Sequence, residues 1–176
     1  YKIKSGNCTG YVKGEFVVTG GEDNAGTPVS VAFTIEEAQD GIFNGVSCNS
    51  PVANIEVISG KIKFVDCDFT AIAGWSGSVD ATNIGVSYGG HAIVESGSYK
   101  ITDPNNLRTK TGGSLFVYSS GGTIEANGGT FVGVDHVIKI GFDRGSFGYI
   151  YGEGEVPSNI IVKGGSFTGT FNKYYG

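Results

Sequence analysis

Three aspartates recur in one local setting. Asp66 closes VISGKIKFVD, Asp103 closes VESGSYKITD and Asp135 closes ANGGTFVGVD, each six residues after a glycine, Gly60, Gly97 or Gly129. If those segments stack as equivalent strands, the carboxylates rise above one another about 4.8 Å apart. Carboxylates that close repel unless they are splayed, solvated or share a cation. The chemistry open to them is a Ca2+ site or an acid pair for cleaving glycosidic bonds. The plainer use is structural, because an aspartate at a strand end caps the following turn through its own backbone.

Other residue types offer less. Trp75 in AIAGWSGS, with Tyr149 and Tyr151 in GYIYGEG, could form a platform on which a sugar ring stacks, or could simply cover a flank of the fold. His91 and His136 stand at or beside strand starts, where a solvated or hydrogen-bonded imidazole is the expectation. The arginines, Arg108 and Arg144, fall in segments that read as loops. No Ser/His/Asp order, phosphate-binding loop or metal-binding helix is present, so the reading leans away from an enzyme. Cys8, Cys48 and Cys67 are odd in number and lack CxxC spacing, which argues against zinc. At least one of these thiols is left free or pairs with another chain, and all three are candidates for a disulfide or an inter-chain link. Asn7 opens the glycosylation sequon NCT.

The elements that must position these groups form a repeat. Aligned on Gly14, Gly60, Gly97, Gly129 and Gly165, the chain places Phe16, Ile62, Tyr99, Phe131 and Phe167 two residues later. Three residues before the same glycines stand Tyr11, Val57, Val94, Ala126 and Val162. Polar or small residues such as Glu56, Lys61, Ser98, Glu125 and Ser166 lie between them, the alternation of strands with one face in and one face out. A third strand precedes each pair: YKIKS (1–5), VSVAFTI (29–35), NIGVSY (83–88), LFVYS (115–119) and VIKIGF (137–142). Three short strands joined by glycine turns at a fixed register predict an all-β parallel solenoid of about five three-strand coils, forming a single domain over 1–176. The competing fold is an antiparallel β-sandwich. Segments 21–28, 36–53, 71–82, 104–113 and 143–158 read as insertion loops, and TIEEAQDG (34–41) as a short helical turn.

Composition restricts the partners. With 31 glycines, 11 phenylalanines and 9 tyrosines, the chain can bury a core and punctuate it with turns. Its 12 basic residues form no run and its net charge is −5, which argues against a nucleic-acid partner. No apolar stretch approaches the roughly 18 residues of a membrane span, so membrane insertion is not expected. The start at Tyr1 without an initiator methionine reads as a processed, secreted, cell-surface protein.

With its GGTF and GGSF turns and the strand triplets around them, the chain resembles the right-handed parallel β-helix proteins of the pectin-lyase-like group and related surface and phage-tail solenoids. Handedness is implied by that resemblance. Enzymes of that group carry clustered acids with a catalytic Arg, Lys or His on one face, a pattern this chain departs from. In glycine-rich, acidic, all-β style it also resembles prokaryotic (methanogen-type) extracellular sheath and surface-layer subunits. A solenoid exposes unpaired backbone groups at both ends, and no polar capping helix is apparent in the sequence. The expectation is a non-enzymatic extracellular structural protein that self-assembles with copies of itself, through solenoid edges, into a filament, sheath or surface layer. The alternative is a carbohydrate-binding or carbohydrate-cleaving β-helix, such as a phage tailspike or surface polysaccharide lyase, with polysaccharide as partner.

Overall fold

The computed structural model describes residues 2–5, 8–13, 16–19, 33–38, 41–50, 53–58, 60–72, 81–104, 113–118, 121–140 and 158–173. Every element among them is a β-strand. β1 (Lys2–Ser5), β2 (Cys8–Lys13) and β3 (Phe16–Thr19) come first, followed by β4 (Phe33–Ala38) and β5 (Gly41–Ser50). The next two coils are β6 (Ala53–Val57), β7 (Lys61–Val65) and β8 (Cys67–Ile72), then β9 (Thr82–Val86), β10 (His91–Val94) and β11 (Gly97–Thr102). β12 (Gly113–Val117), β13 (Gly122–Ala126) and β14 (Thr130–Ile140) follow, and β15 (Ser158–Val162) and β16 (Ser166–Lys173) close the order.

From β4 onward every pairing to a later strand is parallel, and the register resolves three faces. On the first, Ile55, Ile84, Leu115, Ile138 and Phe171 stand above one another. On the second, Ile62, Ala92, Ile124 and Ile160 do so. On the third the column is Cys48, Phe69, Tyr99, Phe131 and Phe167. Each strand therefore pairs with its equivalent one coil away rather than with its chain neighbour, which is the defining pattern of a parallel β-solenoid. β5 and β14 each serve two faces: 41–44 pairs with β7 while 47–50 pairs with β8, and 130–132 pairs with β11 while 136–140 pairs with β12.

The core is the interior of this stack. Phe43, Ile55, Phe64, Phe69, Ile84, Tyr99, Leu115, Ile124 and Phe131 are fully buried. The third-face rings touch in succession, with centroids 5.4 Å apart for Phe69 and Tyr99, 5.1 Å for Tyr99 and Phe131, and 4.7 Å for Phe131 and Phe167. Each ring also shields its neighbours from water, so the ladder adds ring contact to burial.

The structure corrects the sequence alignment in two places. Gly60 and Ile62 belong to the second face, level with Gly90 and Ala92, and the third-face residue of that coil is Phe69. The reason is the corner before Cys67, which Asp66 turns with a φ of 50° without a glycine to mark it. Phe16 lies outside the ladder as well, since β3 pairs antiparallel with β4. Two further expectations fail. TIEEA is strand, not helix, because β4 is held between β3 and β6. The supposed loop 36–53 contains the ten-residue β5.

The N-terminal end of the stack is closed by antiparallel strands. β1 pairs with β2, β2 lies along β5, and β3 lies along β4, so both strands of the first coil are paired on their outer sides. These pairings supply the cap that the solenoid required and that the sequence did not reveal as a helix.

Candidate functional site

Asp66 does not stand in register with Asp103. Asp66 stands level with Ser96, whose hydroxyl oxygen accepts from the Asp66 amide at 2.9 Å and lies 2.7 Å from Oδ1, to which it donates. That is a structural pairing of two turns in adjacent coils, made through the Ser96 side chain rather than through the backbone next to Asp66. Asp103 follows Thr102, which pairs with Ile72 of the coil below. Asp135 falls in β14 where the register shifts between Val132 and His136, and its side chain lies outside the described residues. Among the described residues there is no group of three or more His, Cys, Asp or Glu able to hold a metal. Trp75, Tyr149 and Tyr151, with Arg108, Arg144 and Asn7, lie outside the described residues.

Both histidines are hydrogen-bonded. His91 Nε2 lies 2.9 Å from Glu125 Oε1, while Lys163 Nζ donates to Glu125 Oε2 at 2.6 Å. The hydrogen bond from Lys163 is the main reason the Glu125 carboxyl sits below its ordinary pKa. His136 Nδ1 is 2.8 Å from Thr170 Oγ1. On the same outer surface Lys63 pairs with Glu95 at 3.2 Å, and Asn127 donates to Glu95 at 3.2 Å. All of these bonds stitch a strand or turn of one coil to that of an adjacent coil, and all act as cross-strand pairs.

Sequence reading missed a buried polar ladder at the corner between third and first faces. Asn83 Nδ2 donates to the Phe69 carbonyl at 3.2 Å and to that of Lys100 at 3.0 Å. One coil later the Ser114 hydroxyl donates to Asn83 Oδ1 at 2.8 Å. Thr82 Oγ1 donates to the Gly113 carbonyl at 2.6 Å. The large majority of buried polar groups are paired in this way. A sequence signal existed, since Asn83 and Ser114 each stand immediately before an inward residue, Ile84 or Leu115.

The carboxyl with the clearest burial effect is Glu56. Burial raises its pKa above the ordinary value of 4.5, opposed by a 2.7 Å hydrogen bond from the Ser87 hydroxyl. A carboxyl whose folded pKa is raised contributes its full stability below the unfolded pKa and loses it as pH rises through the folded pKa. Glu56→Gln, which stays neutral and still accepts from Ser87, should therefore raise the urea midpoint at pH 7 and leave it nearly unchanged at pH 4. An equal gain at both pH values would show that ionisation is not the cause.

Cys67 is buried, and its thiol donates toward the carbonyls of Phe43 and Val65, both at 3.5 Å. Burial pushes its pKa up to about 11. At neutral pH it is a protonated, inaccessible thiol, which is not the state that attacks a second chain.

The most distinctive surface is the last coil. Val162 and Phe171 occupy inward register positions, above Ala126 and Ile138. Ala126 and Ile138 are 0% and 5% exposed, whereas Val162 and Phe171 are 47% and 66% exposed. Ile161, on the outer side of the same coil, is exposed as well. Among the described residues β15 pairs only with β13, and β16 only with β14. Among the described residues the two ends of the stack therefore differ: the N-terminal coil carries antiparallel strands on its outer edge, and the C-terminal coil presents core-type residues and strand edges with no further partner strand. Such an edge can template a further strand.

No family model, curated protein or solved structure matches the chain.

Proposed function

We propose that the protein is a non-enzymatic structural subunit of the cell exterior that assembles with copies of itself through its solenoid edges. The exposure of inward residues Val162 and Phe171 in the last coil carries this reading. A strand edge with apolar residues beside it gains both backbone hydrogen bonds and burial when a second strand covers it. Contact between that edge and the N-terminal hairpin of the next copy is heterologous, so it propagates into a filament or sheath. In this reading the coil is right-handed, as parallel crossovers favour and as the pectin-lyase-like resemblance implies, and sheath and surface-layer subunits are the nearest functional analogy.

The test is sedimentation velocity over a wide concentration range, with negative-stain microscopy of the same samples. The wild-type chain should associate with rising concentration. The Val162→Lys/Phe171→Glu double variant should remain monomeric with an unchanged far-UV spectrum. A wild-type chain that stays monomeric under every condition, with and without reductant, overturns the proposal.

A further inference from the structure

We infer that Cys8 and Cys48 of one chain are joined by a disulfide that clamps the N-terminal hairpin across the first coil, leaving Cys67 as a permanently free thiol. The register carries the inference. In the antiparallel pair of β2 and β5, Cys8 stands directly opposite Cys48. Opposed residues in such a pair have Cα atoms about 4.5–5.5 Å apart and project to the same face of the sheet. A disulfide spans Cα separations of roughly 4.4–6.8 Å, so no backbone movement is needed.

The remaining cysteines agree. Cys48 is disulfide-bonded and Cys67 is free. The chain holds 3 cysteines, so Cys8 is the partner that remains within it. Cys48 is also buried at the foot of the third-face column, below Phe69, where a sulfur from a second chain could not reach it without displacing β2. Formation of the bond joins the two sulfurs and releases two protons and two electrons. The electrons pass to an external disulfide, such as that of a thiol–disulfide oxidoreductase, which leaves as the dithiol.

The consequence concerns the cap. β2 pairs with residues on both the second-face and third-face portions of β5, from Ile42 to Cys48. A covalent link at the Cys48 end fixes the hairpin over the edge that would otherwise be open to another strand. The odd cysteine is then not a link between chains, and any association of copies is non-covalent. This inference does not depend on assembly, since it is read on the monomer.

The test is peptide mapping of protein produced in an oxidising compartment, alkylated after denaturation without reductant. The expected result is a Cys8–Cys48 linked peptide, with Cys67 as the alkylated residue. Reductant or Cys8→Ser should make Cys48 alkylatable and increase protease cleavage within 2–19 at least severalfold, while Cys67→Ala should change neither the linkage nor the cleavage. Three alkylated cysteines, a link involving Cys67, or reductant-sensitive chain dimers would overturn the inference. Monomeric behaviour would not, so failure of the assembly reading and failure of the clamp are distinguishable.

Discussion

Gly97→Ala should destabilise the fold by at least ~3 kcal/mol, whereas Gly45→Ala should cost only about 1–2 kcal/mol. Both glycines have positive φ, +120° for Gly97 and +60° for Gly45. What separates them is the neighbouring backbone. A Cβ on Gly97 would sit 2.8 Å from the Cys67 nitrogen and closer still to the Cys67 carbonyl oxygen, while a Cβ on Gly45 would meet nothing within 4 Å. Backbone atoms of a paired strand cannot rotate aside as a side-chain end can. Relief of the clash would require the coils to separate at the Gly97 to Cys67 pairing, where β11 and β8 are in register. Gly45→Ala therefore isolates the cost of the left-handed backbone, and Gly97→Ala adds the cost of prising two coils apart. Urea denaturation followed by far-UV circular dichroism measures both. Equal losses would mean that coil contact contributes nothing at Gly97 and that its conformation alone matters.

The same corner explains what could be read from the sequence and what could not. Tyr99, Phe131 and Phe167 were legible as a stack because Gly97, Gly129 and Gly165 all precede them at one corner, with φ values of 120°, 106° and 107°. In the coil before, Asp66 and Cys67 replace that signal, and alignment on Gly60 moved to the wrong face. Asp66 tolerates its φ of 50° through the Ser96 hydrogen bonds, a compensation between residues 30 positions apart that local pattern does not display. β5 was hidden for a different reason. Its inward residues Phe43 and Val46 are three apart, because Gly45 bends the strand where it passes from one face to the next, so strict alternation is broken. β4 was misread because Thr34 and Glu37 have helix-cap spacing, and only pairing with β3 and β6 decides against the helix. Asp66 leaves the aspartate column with the Gly60 alignment that put it there, since it stands level with Ser96 rather than with Asp103. The asymmetry between the two ends could not be read at all, since antiparallel closure by β1, β2 and β3 is a non-local property.

Truncating aromatic rings of the last two coils, Phe131 and Phe167 on the third face and Phe171 on the first, should produce a graded loss that falls toward the C-terminal end. Phe131→Ala should cost about 3–5 kcal/mol, the range for deleting a buried aromatic side chain. Phe131 is fully buried and lies between two near-parallel neighbours, with interplanar angles of 13° to Tyr99 and 12° to Phe167. The backbone on either side is fixed by parallel pairing to β11 and β16, so the cavity cannot collapse readily and the cost should lie at the upper end. Phe167→Ala removes a half-buried ring with Phe131 on one face and should cost less. Phe171→Ala, at 66% exposure, should cost the monomer under ~1 kcal/mol, because most of that ring is already in water. The order of the three is informative beyond stability. If copies associate through the last coil, Phe171→Ala should weaken association while leaving monomer unfolding nearly unchanged, and Phe131→Ala should lower monomer stability first. Denaturation measured at low concentration, beside sedimentation at high concentration, separates these effects. A Phe171→Ala loss as large as that of Phe131→Ala in the monomer would mean that the last coil is covered by the chain itself. The open edge on which assembly is proposed would then not exist.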